Sequence, residues 1–215
     1  MFLALLCVPC ARRLRAASMT ISFCTEDQIE FWRTTALTGQ TRGCLGIEDV
    51  IPGRDLVSPF DGVIVRWRAR LGNNTDAQTV LIRVVRRLDP DEFTVISSGE
   101  LEDVAAGADT YTFPARLPIA SGDQVGIEAE NAKVIEWREE NLIGARSFEY
   151  TSRPADGANT GVPGFTDNDA SHTFNVDVEP DCDSDGFGDE TQDPDISSCN
   201  PAGPGPGPGP GGGNP

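Results

Sequence analysis

Between Asp61 and Leu71 the apolar side chains fall at every second position. Val63, Val65, Trp67, Ala69 and Leu71 share one face of an extended chain, and Ile64, Arg66, Arg68 and Arg70 take the other. This alternation predicts a half-buried antiparallel strand. Gly72-Asn73-Asn74-Thr75-Asp76 has turn chemistry, and Thr79 to Leu88 reads as a partner strand with Val80, Ile82 and Val84 inward and Arg83 and Val85 outward, so the two are expected to pair as a hairpin. Further strands are predicted over 92–97, 110–117, 124–130, 132–138 and 171–178, separated by Asp89-Pro90-Asp91, Ala106-Gly107-Ala108-Asp109 and Ser121-Gly122-Asp123. No amphipathic helix longer than two turns can be drawn. Short strands at this spacing predict an all-β fold, an antiparallel β-sandwich with a jelly-roll-like order as the first expectation. Residues 153–169, rich in Gly, Pro, Asn and Asp, are expected to leave the sheets as a long excursion, either a lid over a site or an idle loop.

Composition narrows the class. The hydrophobic fraction is 38% of 215 residues, and 23 Gly and 16 Pro suit strands, turns and linkers better than helices. The formal net charge of −17 excludes a nucleic-acid partner, because a phosphate backbone is held by clustered cations. Phe2 to Ala11 is an apolar run too short to cross a bilayer but suited to the core of an export signal, and Ala16-Ala17-Ser18 offers small residues for cleavage. Residues 1–18 are therefore expected to be a signal peptide and the protein to be extracellular, secreted or held at the cell surface. Removal of Arg12, Arg13 and Arg15 with it would take the charge to −20. These arginines follow the apolar run instead of preceding it, which leaves a cytosolic protein starting near Met19 as the alternative.

The predicted organisation is then a β-sandwich over 19–178, an acidic loop over 179–199 and a Pro/Gly linker over 200–215. The linker has too few side chains to bury or to recognise anything and is expected to be disordered. Loss of the leader removes Cys7 and Cys10 and leaves Cys24, Cys44, Cys182 and Cys199. Of the three possible connectivities, sequential pairing is the economical one: Cys24 with Cys44, and Cys182 with Cys199. Each bridge would stabilise the fold by about 3 kcal/mol in the chain-entropy model. No spacing among them is a zinc pattern.

Residues 177–195 carry nine acidic side chains and no Lys or Arg. The run Asp181-Cys182-Asp183-Ser184-Asp185-Gly186-Phe187-Gly188-Asp189 sets carboxylates at positions 1, 3, 5 and 9 of a loop, with Gly at position 6. Ca2+ takes six to eight hard oxygen ligands, so alternate residues of an extended turn aim carboxylates at one centre, and the carbonyl of Phe187 at position 7 adds another. Position 12 is Gln192, not the bidentate Glu that completes an EF-hand, and Asp193 or Glu190 is expected to substitute. The run resembles the thrombospondin type-3 repeat, whose D-x-D-x-D-G-x-G-D loops bind calcium with little regular structure. That resemblance covers about 20 residues and a single repeat, matches Asp181 to Asp189, and implies a disulfide, Cys182 with Cys199, as brace; with the substitute for position 12 the expected Ca2+ ligands are Asp181, Asp183, Asp185, Phe187, Asp189 and Asp193. More broadly, the build is similar to that of uncharacterised secreted actinobacterial proteins, a likeness that implies location and not a reaction. The bland alternative is a solvated acidic spacer.

Other constellations point less far. Arg66, Arg68, Arg70 and Arg83 would crowd one outer sheet face, ready for an acidic polymer or, more simply, for ion pairs with Glu128 and Glu130. His172 alternates with Phe174 and Val176 and is expected at the edge of the core, not as a catalytic base. No G-x-S-x-G, H-E-x-x-H or P-loop occurs, and no enzyme is expected. Trp32, Trp137, Phe148 and Tyr150 would suit a sugar-binding platform if exposed. The expectation is thus a calcium-stabilised binding or structural module, with a cell-surface glycan or protein as possible partner and a carbohydrate-binding accessory domain as the alternative.

Overall fold

The computed structural model describes residues 19–22, 39–40, 44–74, 77–130, 136–138 and 143–194. The expected leader, Cys24, Cys199, Trp32 and the Pro/Gly linker lie outside them. Among the described residues there is no helix. The strands are β1 (Met19–Ser22), β2 (Gly39–Gln40), β3 (Leu45–Val50), β4 (Gly62–Asn74), β5 (Gln78–Asp89), β6 (Glu92–Ser98), β7 (Glu102–Val104), β8 (Gly107–Ile119), β9 (Gln124–Ala129), β10 (Glu136–Arg138), β11 (Arg146–Tyr150), β12 (Phe165–Asn168), β13 (Ser171–His172) and β14 (Phe174–Pro180). They form an antiparallel β-sandwich. One sheet runs β1-β14-β4-β8, the larger one β12-β11-β3-β9-β5-β6 with β7 also on β5, and β13-β10-β2 makes a small third sheet.

The main core lies where the two large sheets face each other. Ile64, Trp67, Ala69 and Leu71 of β4, Phe113 and Leu117 of β8, and Phe174, Val176 and Val178 of β14 meet Val80, Ile82 and Val84 of β5 and Val125, Ile127 and Ala129 of β9. This arrangement corrects the expected hairpin. β4 pairs with β14 and β8, whereas β5 pairs with β6, β7 and β9. The apolar faces of β4 and β5 thus cover one another across the sandwich instead of lying side by side in one sheet. The alternation in β4 is also broken. The register shifts between Ile64 and Arg66, so Ile64 turns inward where Val65 was expected and Val65 is displaced from the core.

The expected cationic face is divided by the same crossover. Arg66 and Arg68 both reach Asp177 on the neighbouring β14, with Nε of Arg66 at 2.7 Å and Nη2 of Arg68 at 2.9 Å. Arg83, on the other sheet, pairs with Glu128 as anticipated, but Glu128 is buried and is shared with Arg153.

A second cluster, Leu45, Ile47, Val85, Phe93, Val95, Phe148 and Tyr150, covers the opposite face of the larger sheet. The excursion after β11 runs to β6 and bonds along it: Val95 N–H donates to Ala158 O, Gly157 N–H to Val95 O and Thr160 N–H to Phe93 O, at 2.8–2.9 Å. Its role is to close the β6 edge beside this second core.

Cys44 is a free, half-buried thiol, so the expected bridge to Cys24 is absent. Its backbone is fixed from both sides, donating to Tyr150 O and accepting from Ala129 N, each at 2.8 Å. Cys182 is disulfide-bonded, and its partner lies outside the described residues.

Candidate metal centre

The acidic loop begins where β14 ends and folds back onto the outer side of the β14-β4-β8 sheet. Glu179, on the last turn of β14, is 3% exposed, and its carboxylate organises the returning chain. It accepts from Glu190 N at 3.0 Å, from Thr191 N at 2.8 Å and from the Thr191 hydroxyl at 2.6 Å. Hydrogen bonds of this charge-assisted kind contribute about 1.5–3 kcal/mol each. The following residues close a tight turn, with Gln192 and Asp193 N–H both donating to Gly188 O at 3.0 Å. Gly188 lies so close to the sheet that a Cβ on it would meet Glu179 Oε2 and Val65 Cγ1 at 2.6 Å. The irregularity in β4 therefore supplies Val65 as the surface on which the loop rests.

Gln192 does not point at the acidic cluster. Its amide donates to Ala115 O of β8 at 2.7 Å and its carbonyl accepts from Gly188 N at 3.4 Å, so the residue that breaks the EF-hand pattern ties the loop to the sandwich. Arg116, next on β8, donates to Gly186 O at 2.9 Å and lies over the Phe187 ring, 3.3 Å from its centroid.

Two carboxylate triads result. Oxygens of Asp181, Asp183 and Asp185 lie within 4.8 Å of one another, and so do those of Asp183, Asp189 and Asp193, with Asp183 common to both. Gly186 turns the chain at φ 84°, in the left-handed region that glycine enters without penalty. Backbone amides face the oxygens: Asp185 N–H and Gly186 N–H donate to Asp181 at 3.2 and 3.0 Å, and Cys182 N–H donates to Asp189 at 3.3 Å. Even so, unit charges at this separation repel by about 1 kcal/mol per pair in bulk water and by more near a protein surface. Burial first, and then the charges of Asp181, Asp183 and Asp193, hold the Asp189 carboxyl above the usual range against the opposing bond from Cys182. The donor set is oxygen only, which suits a hard divalent cation.

Asp181, Asp183, Asp185, Asp189 and Asp193 are thus brought together, with Asp193 beside Asp183 and Asp189. Phe187 is found with its ring under Arg116. The roles of Glu179, Gln192, Arg116 and Val65 were not visible in the sequence, because each depends on contacts with β4, β8 or β14. Phe148 and Tyr150 are 4% and 1% exposed and cannot stack on a ligand, and no aromatic ring among the described side chains is exposed. No described helix is long and apolar enough to cross a membrane. No family model, curated protein or solved structure matches the chain.

Proposed function

We propose that this protein is an extracellular β-sandwich module whose acidic loop binds Ca2+, and that the ion acts structurally, fixing the junction between the sandwich and the Pro/Gly linker. The observation that supports this reading is the convergence of five aspartates in two triads that share Asp183, on a loop already docked to the sheet through Glu179 and Gln192. The carbonyl of Phe187 would complete the ligand set, and Cys182 with Cys199 would brace the loop as in a single thrombospondin type-3 repeat. Extracellular calcium loops bind at about 10⁻⁴–10⁻³ M, an affinity matched to the calcium available outside a cell and not to the cytosol. Such a module presents a binding surface or spaces neighbouring parts of an assembly, and catalysis is not part of this reading.

The test is calorimetric titration of Ca2+ into the full chain beside the Asp183→Asn/Asp185→Asn variant. The parent should bind and the variant should not, since Asp183 serves both triads. Calcium at ten times its Kd adds about 1.4 kcal/mol, a Tm rise of about 3–6 °C that a chelator should reverse. Equal heats from the two proteins, or a Tm indifferent to chelator, would overturn the assignment.

A further inference from the structure

Carboxylates away from the loop meet two different fates. Glu48 is buried against His172, with Oε1 2.6 Å from Nδ1 and accepting from the His172 backbone N–H at 2.5 Å. That pair fills its own space, since a Cβ on Gly46 would already meet the imidazole at 2.6 Å. Glu100 and Glu102 stand instead beside an opening between the two large sheets. β5 pairs with β6 as far as Arg83 opposite Ser98, and with β7 from Val80 opposite Glu102, so two residues of β5 face three of the connection, 99–101. Gly99 holds this connection close, its N–H donating to Ile82 O at 2.9 Å. A Cβ there would lie 3.1 Å from Ile82 Cγ1, and its absence leaves room above that side chain. The facing edge is β8, the outermost strand of the other sheet. Between them lies a cleft of about 120 Å³ lined by Trp67, Ile82, Leu117, Ala115, Glu100 and Glu102. Its floor is apolar, because Trp67, Ile82 and Leu117 are buried, and its mouth is acidic, because Glu102 is half-buried and Glu100 exposed.

The mouth lacks a counter-ion. Neither carboxylate has a hydrogen bond or an ion pair among the described residues. Arg116, the cation of the lining, is turned to the acidic loop, where it donates to Gly186 O and lies over the Phe187 ring. Burial first, and then the charges of Glu100 and Asp103, hold the Glu102 carboxyl above its usual range. We propose that this cleft binds a small aliphatic ammonium group, its short apolar chain on Trp67, Ile82 and Leu117 and its cationic head at Glu100 and Glu102. An apolar floor fixes the chain by burial, and two acceptors at the rim select a donor that carries positive charge. The volume is smaller than the about 150 Å³ that takes up a benzene ring, so a chain of a few carbons fits and a ring does not. The same chemistry is offered by a free alkylamine and by the amino terminus of a peptide that starts with an aliphatic residue.

The experiment titrates the full chain, in millimolar Ca2+, with n-pentylamine, with 1-pentanol and with the peptide Leu-Gly-Gly, and follows the Gly99 and Glu102 backbone amides and the Trp67 indole N–H by 15N NMR. Pentylamine should shift all three signals saturably, and pentanol should bind about tenfold more weakly. Glu102→Gln should weaken pentylamine about threefold, and Ala115→Leu, which fills the cleft, should abolish the shifts. Tighter binding of Leu-Gly-Gly than of pentylamine assigns the site to a peptide terminus, and weaker binding assigns it to a free amine. Signals indifferent to both amines, or equal affinity for pentylamine and pentanol, overturn the proposal. These two comparisons need only the parent protein, so they decide the matter even should a variant fail to fold. The cleft stands apart from the aspartate triads, so failure here leaves the calcium assignment standing, and the converse also holds.

Discussion

The aspartate loop and the carboxylates around His172 are built on opposite terms. In the loop, Asp183 and Asp185 are exposed, are supplied by one short stretch of chain, and have water and backbone amides for neighbours. In the interior, Glu48 and Glu149 are buried, come from strands a hundred residues apart, and have an imidazole for company. Water makes the first tolerable without its ion, so occupancy there is worth little more than a modest gain in stability. The second has no water to fall back on, and removing one partner strands a charge in a low dielectric.

That contrast can be broken most forcefully at Glu48. Replacing it with Ala removes the carboxylate that both Nδ1 and the backbone N–H of His172 contact, and we expect a loss of about 3–5 kcal/mol, read by urea denaturation. Aspartate-to-Asn changes in the loop should cost far less in the absence of Ca2+. If the two kinds of substitution prove equally damaging, the distinction between them is wrong. At Gly188, Ala would force a methyl into Glu179 and Val65, at an expected cost of about 1–3 kcal/mol, together with weaker Ca2+ binding as the loop lifts from the sheet. Calorimetry checks both, and unchanged affinity would show that docking and metal binding are independent. The smallest effect should follow Arg116→Ala, about 0.5–1 kcal/mol, because the guanidinium over Phe187 is solvent-exposed. It should appear as a lower Ca2+ affinity with an almost unchanged urea midpoint.

The same contrast explains what could be read from the chain. The aspartate spacing is local, so the convergence of Asp181, Asp183, Asp185, Asp189 and Asp193 was legible. The interior patch was not. In Leu45 to Val50 and Arg146 to Tyr150, Glu48, Ser147 and Glu149 are the polar members of ordinary alternation, and nothing in the sequence distinguishes a polar residue facing solvent from one facing a buried imidazole. His172 was legible as buried but not as the partner of Glu48, because Thr173 separates it from β14 and delivers it to a different sheet. The all-β class followed from the period of two, whereas the passage from β4 to β5 did not. A tight hairpin and a crossing between layers use the same turn residues, and only the apolar faces waiting on each side decide between them.

The way the loop is fastened also has a mechanical meaning. With Cys182 bridged to Cys199, a pull transmitted from beyond Cys199 would pass through the covalent link to Cys182 and on to the end of β14, bypassing the turn held by the Glu179 carboxylate and the Gln192 side chain. The acidic loop would then hang slack beside the load path, so that tension on the tether would neither pull its aspartates apart nor release an ion they clamp.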